Sequence, residues 1–301
     1  MPQDTWTILK LIRWTDERFK KEGLPTPRLD AEVLLAESLG MDRVGLYAHF
    51  DQPLQPRELT RFKKLIQRRL AREPLAYIVG KREFWSLTFK VTADVLIPRP
   101  ETEVLVAEAL QVLVDAKGPM RSWRILEIGT GSGAVSIALA KELPLASLVA
   151  TDLSGKALAI ARENALGNGV QERIQFLQGD LFAPLEEGSQ FELILSNPPY
   201  VPRSHFASLA PEVRDFEPRV ALDGGKDGLA FFRRALPRVG DFLQPEGWFL
   251  AEIGAGQDLE VRKIAAESPN LDAFDFIPDL AGIKRVFKAR KRAKHQIPST
   301  K

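Results

Sequence analysis

Arg124-Ile125-Leu126-Glu127-Ile128-Gly129-Thr130-Gly131-Ser132-Gly133-Ala134 runs from a short apolar stretch through a glycine-rich turn into the start of a helix. The apolar stretch, Arg124 to Ile128, reads as a buried parallel strand, and Ala134 to Leu143 as the helix that follows it. Small residues between the two let a ligand approach the backbone and the helix amino end. The alternation continues on both sides. A helix is expected over Glu101 to Val114, then, beyond the turn, a strand over Ser147 to Ala150, a helix over Gly155 to Leu166, and strands over Ile174 to Leu177 and Phe191 to Ser196. A helix near Leu229 to Val239 and a strand over Trp248 to Glu252 complete the pattern, and the stretches near Ala273 to Pro278 and Lys284 to Ala289 suit an antiparallel edge hairpin. Such alternation implies an α/β domain: a mainly parallel, doubly wound sheet with helices on both faces.

The first 75 residues or so read differently. Trp6, Leu9, Ile12, Trp14 and Phe19 fall at helical spacing within Thr5 to Lys21, and Ala31 to Leu39 and Glu58 to Leu70 repeat the pattern between Gly and Pro breakers. Tyr77 to Gly80 and Phe84 to Val91 are rich in β-formers and suggest paired strands. The expected organisation is therefore a small helical domain over 1–75, a β-hairpin connector over 76–95, a catalytic domain over 96–289 and a basic tail over 290–301.

A composition of 45% hydrophobic and 27% charged residues is that of an ordinary globular protein. Cysteine is absent, which excludes disulfides and thiolate metal sites and fits a reducing cytoplasm. His49, His205 and His295 are scattered, so no metal site is expected. No signal peptide is visible at Met1-Pro2-Gln3-Asp4, and no stretch approaches the roughly 20 apolar residues of a membrane span. The net charge of +2 is unevenly spread: about +5 over residues 1–82, about −11 over 83–283, and about 8 bases without an acid over 284–301. An acidic body repels phosphate backbones, so no stable nucleic-acid partner is expected. Lys288 to Lys294 reads as a solvated, mobile end.

Asn197-Pro198-Pro199-Tyr200 follows the expected strand Phe191 to Ser196, at the carboxyl end where open α/β sheets keep their sites. The Asn197 side-chain carbonyl and the Pro198 backbone carbonyl can accept both hydrogens of one planar NH2 group while the Tyr200 ring covers its flat face. The loop thus suits an amide or an amino-purine edge, or else its two prolines merely stop the strand. In a sheet ordered about a central first strand, this loop and Gly129 to Gly133 face one cleft.

Gly129, Gly131 and Ala134 satisfy a loose dinucleotide fingerprint, and Asp152 at the next strand end suits a ribose in either case, so a nicotinamide enzyme stays in play at this point. Gly133 and the pair Asp180-Leu181 at the third strand end favour S-adenosyl-L-methionine instead, and no His or Tyr-Lys pair is placed for hydride chemistry. An adenine N6 or guanine N2 methyltransferase of DNA or RNA shares the same chemistry and calls for a basic recognition surface. A non-catalytic adapter with a vestigial sheet is the third reading.

Several motifs together resemble the HemK-type (PrmC) protein-glutamine N5-methyltransferases, over nearly the whole chain. Besides the two loops, these are Glu73-Pro74-Leu75-Ala76-Tyr77-Ile78-Val79-Gly80, Ile97-Pro98-Arg99-Pro100-Glu101-Thr102-Glu103, Glu212 to Leu229, Glu252-Ile253-Gly254-Ala255-Gly256-Gln257, and Asp279 to Arg285. The resemblance implies a helical substrate-recognition domain, a β-hairpin connector and a Rossmann-like class I methyltransferase domain. It implies transfer from S-adenosyl-L-methionine, leaving S-adenosyl-L-homocysteine, to the glutamine of a Gly-Gly-Gln motif in class 1 peptide chain release factors. By motif it assigns Gly129, Thr130, Gly131, Ser132, Gly133, Asp152, Asp180 and Leu181 to the cofactor and Asn197, Pro198, Pro199 and Tyr200 to the glutamine. The resemblance further implies that Asn197 contacts both and that Asn197 with Pro198 forms the catalytic pair. The basic end beyond Phe287 lies outside the resemblance.

Overall fold

The computed structural model describes residues 5–117, 120–268 and 270–292. Two compact units are formed, one by the chain up to Lys81 together with Ala210–Phe216, the other by Arg82–Leu209 and the chain from Glu217 onward.

The first unit holds α1 (Ile8–Lys21), α2 (Pro27–Leu39), α3 (Arg43–Ala48), α4 (Pro56–Leu70) and α5 (Leu75–Val79). The Lys10 N–H donates to the Thr7 hydroxyl and the Gly45 N–H to Asp42, capping α1 and α3. Prolines open α2 and α4, where a missing N–H forfeits no helical bond. Ile8, Ile12, Phe19, Leu34, Leu35 and Phe62 form the core. Arg69 is buried and donates to Asp30 at 2.7 Å, to the Glu73 carbonyl at 3.2 Å and to Glu212 at 3.2 Å. A buried guanidinium is tolerated only when so fully paired. Glu212 lies in the short helix Pro211–Phe216, which this unit draws from far along the chain.

Tyr77-Ile78-Val79-Gly80 departs from the strand that its β-formers predict and lies instead in α5 and its end. The Pro74 carbonyl accepts from the Tyr77 and Ile78 N–H groups, Gly80 at φ 75° closes the turn, and Tyr77 and Ile78 are buried. A β-propensity scale spans only about 1 kcal/mol, less than burying either side chain contributes. α3 is too short to show a period in the sequence.

A hairpin follows, β1 (Lys81–Phe84) and β2 (Leu87–Lys90), which lies in the second unit from Arg82 onward and whose turn residues Trp85 and Ser86 have φ 52° and 56°. Positive φ at both central positions matches the twist of paired strands. The strain is offset where the Trp85 backbone N–H donates to Glu103 and its indole N–H to Glu142, both at 2.8 Å.

Then follow α6 (Glu103–Lys117), β3 (Arg124–Ile128), α7 (Ala134–Glu142), β4 (Ser147–Asp152), α8 (Gly155–Gly167), β5 (Ile174–Gln178) and β6 (Phe191–Ser196). After α9 (Pro211–Phe216), the short helix of the first unit, come α10 (Ala230–Phe242), β7 (Leu243–Glu252), α11 (Asp258–Ala266), β8 (Leu271–Pro278) and β9 (Lys284–Lys291). The seven-stranded sheet has the order β5-β4-β3-β6-β7-β9-β8. It is parallel from β5 to β7, and β9 runs antiparallel to both β7 and β8.

Consecutive residues point to opposite faces of a strand, and the two cores follow that rule. Ile125, Leu193 and Leu250 pack with Leu105 and Ile137 on one face. Leu126, Ile194 and Phe249 pack with Phe232 and Val261 on the other. Lys288 to Lys291, expected as the start of a mobile basic end, belong to β9, where Lys288 pairs with Leu250 and Arg290 with Trp248. The tail beyond Arg292 lies outside the described residues.

Candidate active site

β3 and β6 are neighbours in a register that sets Ile128 beside Ser196, and the Ser196 hydroxyl donates to the Ile128 carbonyl at 2.7 Å. The glycine turn begins at the residue after Ile128, and the Asn-Pro-Pro-Tyr loop at the residue after Ser196. Both loops therefore leave the sheet side by side. A cavity of about 320 Å³ opens there, lined by Gly129, Thr130, Gly131, Ser132, Asp152, Asp180, Leu181, Asn197, Pro198 and Pro199 among others.

Two residues of the motifs do not line it, Gly133 and Tyr200. Gly133 heads α7 at φ 81°, and a Cβ there would lie 3.0 Å from Ile137 Cδ1 and 3.2 Å from Ala161 Cβ. Its small size thus serves helix packing. Tyr200 donates its hydroxyl to Glu252 at 3.2 Å, and its ring does not line the cavity.

On the glycine-turn side the backbone is tied to the sheet. The Gly129 and Thr130 N–H groups donate to the Thr151 carbonyl at 2.8 and 3.0 Å, and Gly129 needs glycine's freedom at φ 74°. Asp152 accepts from the Gly131 N–H with one carboxylate oxygen and from the Ser154 N–H with the other, each at 2.8 Å. Burial pushes its carboxyl up, opposed by those N–H groups and that of Leu153. Each oxygen keeps a lone pair for a further donor. Glu127, only 2% exposed, also lines the cavity. Its Oε2 accepts from the Thr130 hydroxyl at 2.6 Å and from the Ser136 N–H and hydroxyl, and burial raises the carboxyl to about 7. Leu181 sits at φ 51°, a strained value for its side chain, beside an Asp180–Arg234 ion pair.

The Asn197 side is held by side chains instead. Asn197 Nδ2 donates to the Thr102 hydroxyl oxygen at 2.9 Å, and the Thr102 hydroxyl donates to Glu252 Oε2 at 2.7 Å. Tyr200 donates to the other oxygen of Glu252. Burial raises the Glu252 carboxyl to about 7, against the pull of the two hydroxyls and Arg285. The Tyr200 hydroxyl is pushed up by burial and by Glu252, so it stays a donor. Gln257 Nε2 donates to the Tyr200 carbonyl at 3.1 Å, and the Val201 N–H to the Leu222 carbonyl at 3.0 Å, which fixes the loop's exit. Arg99 lines the cavity and pairs with the buried Glu217, which also accepts the Ile97 N–H.

Thr102, Glu127 and Arg99 line the cavity and Glu252 stands behind Thr102, roles that the motifs containing them did not assign. For the two glutamates a signal exists, since each interrupts or ends an apolar strand, and a charge in a buried strand seldom lacks a partner. Thr102 carries no such signal. Among the described residues no cluster of three or more His, Cys, Asp or Glu could hold a metal ion, and no helix is long and apolar enough to cross a membrane.

Parallel strands carrying a glycine turn, an acid at the next strand end and a polar loop at the adjacent one define a class I methyltransferase of the S-adenosylmethionine-dependent type. Residues 10–80 match the PrmC N-terminal domain and residues 104–211 the methyltransferase small domain. The chain is 45% identical to the release factor glutamine methyltransferase of Geobacter sulfurreducens over 95% of its own length and 98% of that protein. It is 39% identical to that of Rhodopirellula baltica, covering 95% and 97%. A methyltransferase from Pyrococcus furiosus shares the fold, with a TM-score of 0.51 at 18% identity over 75% of this chain and 97% of that one. The chain belongs to the release factor glutamine methyltransferase family.

Proposed function

We propose that the protein methylates the N5 amide nitrogen of the glutamine in the Gly-Gly-Gln motif of class 1 release factors, with S-adenosyl-L-methionine as donor and S-adenosyl-L-homocysteine as product. The observation that carries this reading is the Asn197 amide: its NH2 donates to Thr102, which commits the opposite end, Oδ1, to the acceptor role at a residue lining the cavity shared with the glycine turn. Release factors work at the ribosome, so the reading makes the protein cytoplasmic.

The residues present suit the donor. The cavity falls within the roughly 300–1,000 Å³ of small-ligand sites. Asp152 has lone pairs for a ribose diol, Gly129 to Ser132 permit close backbone approach, and Asp180 with Leu181 borders the place of a base. Glu127 offers a carboxylate to an ammonium group. When bound, S-adenosyl-L-methionine supplies an electrophilic methyl group on a sulfonium.

An amide nitrogen is a poor nucleophile, as the roughly 18–20 kcal/mol barrier to amide rotation shows. Acceptor bonds from Asn197 Oδ1 and the Pro198 carbonyl, about 0.5–1.5 kcal/mol each, do not overcome that alone. Orientation provides more: fixing the nitrogen in line with the methyl is worth roughly 7–11 kcal/mol. The two acceptors favour the pyramidal nitrogen of the transition state over the planar ground state. Nitrogen that has gained a methyl becomes acidic and releases its proton readily, so a strong base is not required. Asn197 is neutral and leaves no extra buried charge to desolvate.

The acidic stretch 83–283 weighs against methylation of a nucleic acid. Labelled S-adenosyl-L-methionine, the protein and purified release factor are incubated, and the label is located by peptide mass spectrometry. Label on the Gly-Gly-Gln glutamine is expected; label confined to nucleic acid or to another residue overturns the reading.

A further inference from the structure

Thr102 touches Asn197 but is not among the cavity's expected functional residues, and Glu252 lies one bond further from the cavity. Their arrangement has a direction. An ionised carboxylate only accepts hydrogen bonds, a threonine hydroxyl owns one proton, and an amide can present either of two faces. Above about pH 7, where its buried carboxyl is ionised, Glu252 takes the Thr102 proton on Oε2 and the Tyr200 proton on Oε1. Thr102 is then left with lone pairs alone for Asn197, and only the NH2 end of the amide can meet them.

We infer that Glu252 and Thr102 are positioning residues that set the polarity of the Asn197 amide, holding its NH2 inward so that Oδ1 meets the substrate's NH2. Without that commitment the hydroxyl can donate as readily as it accepts, and the amide can turn over. A flipped Asn197 opposes a donor to a donor, and the acceptor amide is not held. Thr102 and Glu252 are buried and Asn197 is half-buried, so a wrong pairing at the Thr102 hydroxyl has little water to relieve it. Thr102 and Glu252 lie 95 and 55 residues from Asn197 in sequence, and all three meet at the carboxyl end of the sheet.

The inference rests on Asn197 receiving the substrate amide, so its test has one arm with no release factor in it. The chain has four asparagines, Asn164, Asn168, Asn197 and Asn270, and asparagine-selective nitrogen-15 labelling gives four side-chain NH2 signals. In the wild type the Asn197 pair should be protected from exchange. Thr102→Val, isosteric but without an acceptor, should lose that protection, Thr102→Ser should keep it, and Glu252→Gln should reduce it.

The second arm measures methylation. Thr102→Val should lower kcat about tenfold to a hundredfold, as for removal of one oriented polar group at a reacting centre. Affinity for S-adenosyl-L-homocysteine should stay within about threefold, which also shows that the variant is folded, and Thr102→Ser should restore most of the turnover. Unchanged Asn197 protection in Thr102→Val, or equal damage from Thr102→Ser, overturns the role of Thr102. Unmoved Asn197 signals in Glu252→Gln overturn that of Glu252. A wild type that leaves release factor unmethylated yet shows the protected pair refutes the substrate reading and upholds the amide polarity.

Discussion

The two loops that meet at the end of β3 and β6 are held by different means. Gly129 to Gly133 is fixed mainly by its own backbone N–H groups, bonded to Thr151 and Asp152 on the neighbouring strand, with the Thr130 hydroxyl bonded to Glu127 just before it. Asn197 to Tyr200 is fixed by side chains that arrive from afar: Thr102 before α6, Glu252 at the end of β7, and Gln257 beyond it. A donor that is bound and released many times needs a rigid cradle. An acceptor nitrogen that must be aimed needs a polar group with one orientation. Binding and aiming are therefore separable here, and mutations should separate them.

The largest effect is expected from Asn197→Ala, which removes the aimed acceptor. Turnover should fall about a thousandfold, near the upper end for loss of one preorganised polar group, while cofactor affinity changes by less than about threefold. Asn197→Asp should be nearly as poor, because it sets a second carboxylate against Thr102, whose single proton Glu252 already holds. Steady-state kinetics together with calorimetric titration of S-adenosyl-L-homocysteine check both. If either variant instead lost cofactor affinity with kcat intact, the two loops would not divide the work in this way.

Asp152→Ala is the reverse case and is expected to be smaller. A charge-assisted bond to the ribose is worth about 1.5–3 kcal/mol, so cofactor affinity should weaken about tenfold to a hundredfold with kcat at saturating donor little changed. Loss of the Gly131 anchor adds to the affinity term and not to the aiming. A kcat defect of the same size, measured at saturation, would show that the cradle also aims the acceptor.

This difference also governs how much could be read from the chain. The glycine turn, Asp152 and the Asn-Pro-Pro-Tyr loop were legible because each sits at the end of a strand whose apolar run announces it, and the parallel order brings those ends together. Thr102 was not, since nothing near Pro98 to Glu103 tells which of its polar side chains faces Asn197. Tyr200 was expected to cover the acceptor amide; its hydroxyl donates to Glu252, a partner that its place in the motif does not announce. Tyr77 to Gly80 misled for a related reason, as β-formers placed against the helical core follow the core. Local periodicity reports faces and ends; it does not report partners.

The smallest effect belongs to Glu127 and sharpens the cradle's side of the comparison. Burial holds its carboxyl at about 7 against an ordinary 4.5, with Asp152 raising it further and Thr130 and Ser136 opposing. Between those two values the folded protein keeps a proton that the unfolded chain has released, so this group's contribution to stability declines as pH rises from 4.5 to 7. Cofactor binding has the opposite sign. A carboxylate attracts an ammonium and a carboxylic acid does not, so affinity should rise as pH passes through about 7, by roughly eightfold between about pH 6 and about 7.5 from proton competition alone. Linkage then requires proton release on binding near pH 6, which calorimetry in buffers of different ionisation enthalpy detects. Glu127→Gln should abolish both the proton release and the pH dependence while leaving kcat at saturating donor within about threefold; persistence of either pH signal in that variant would remove Glu127 from the donor's binding.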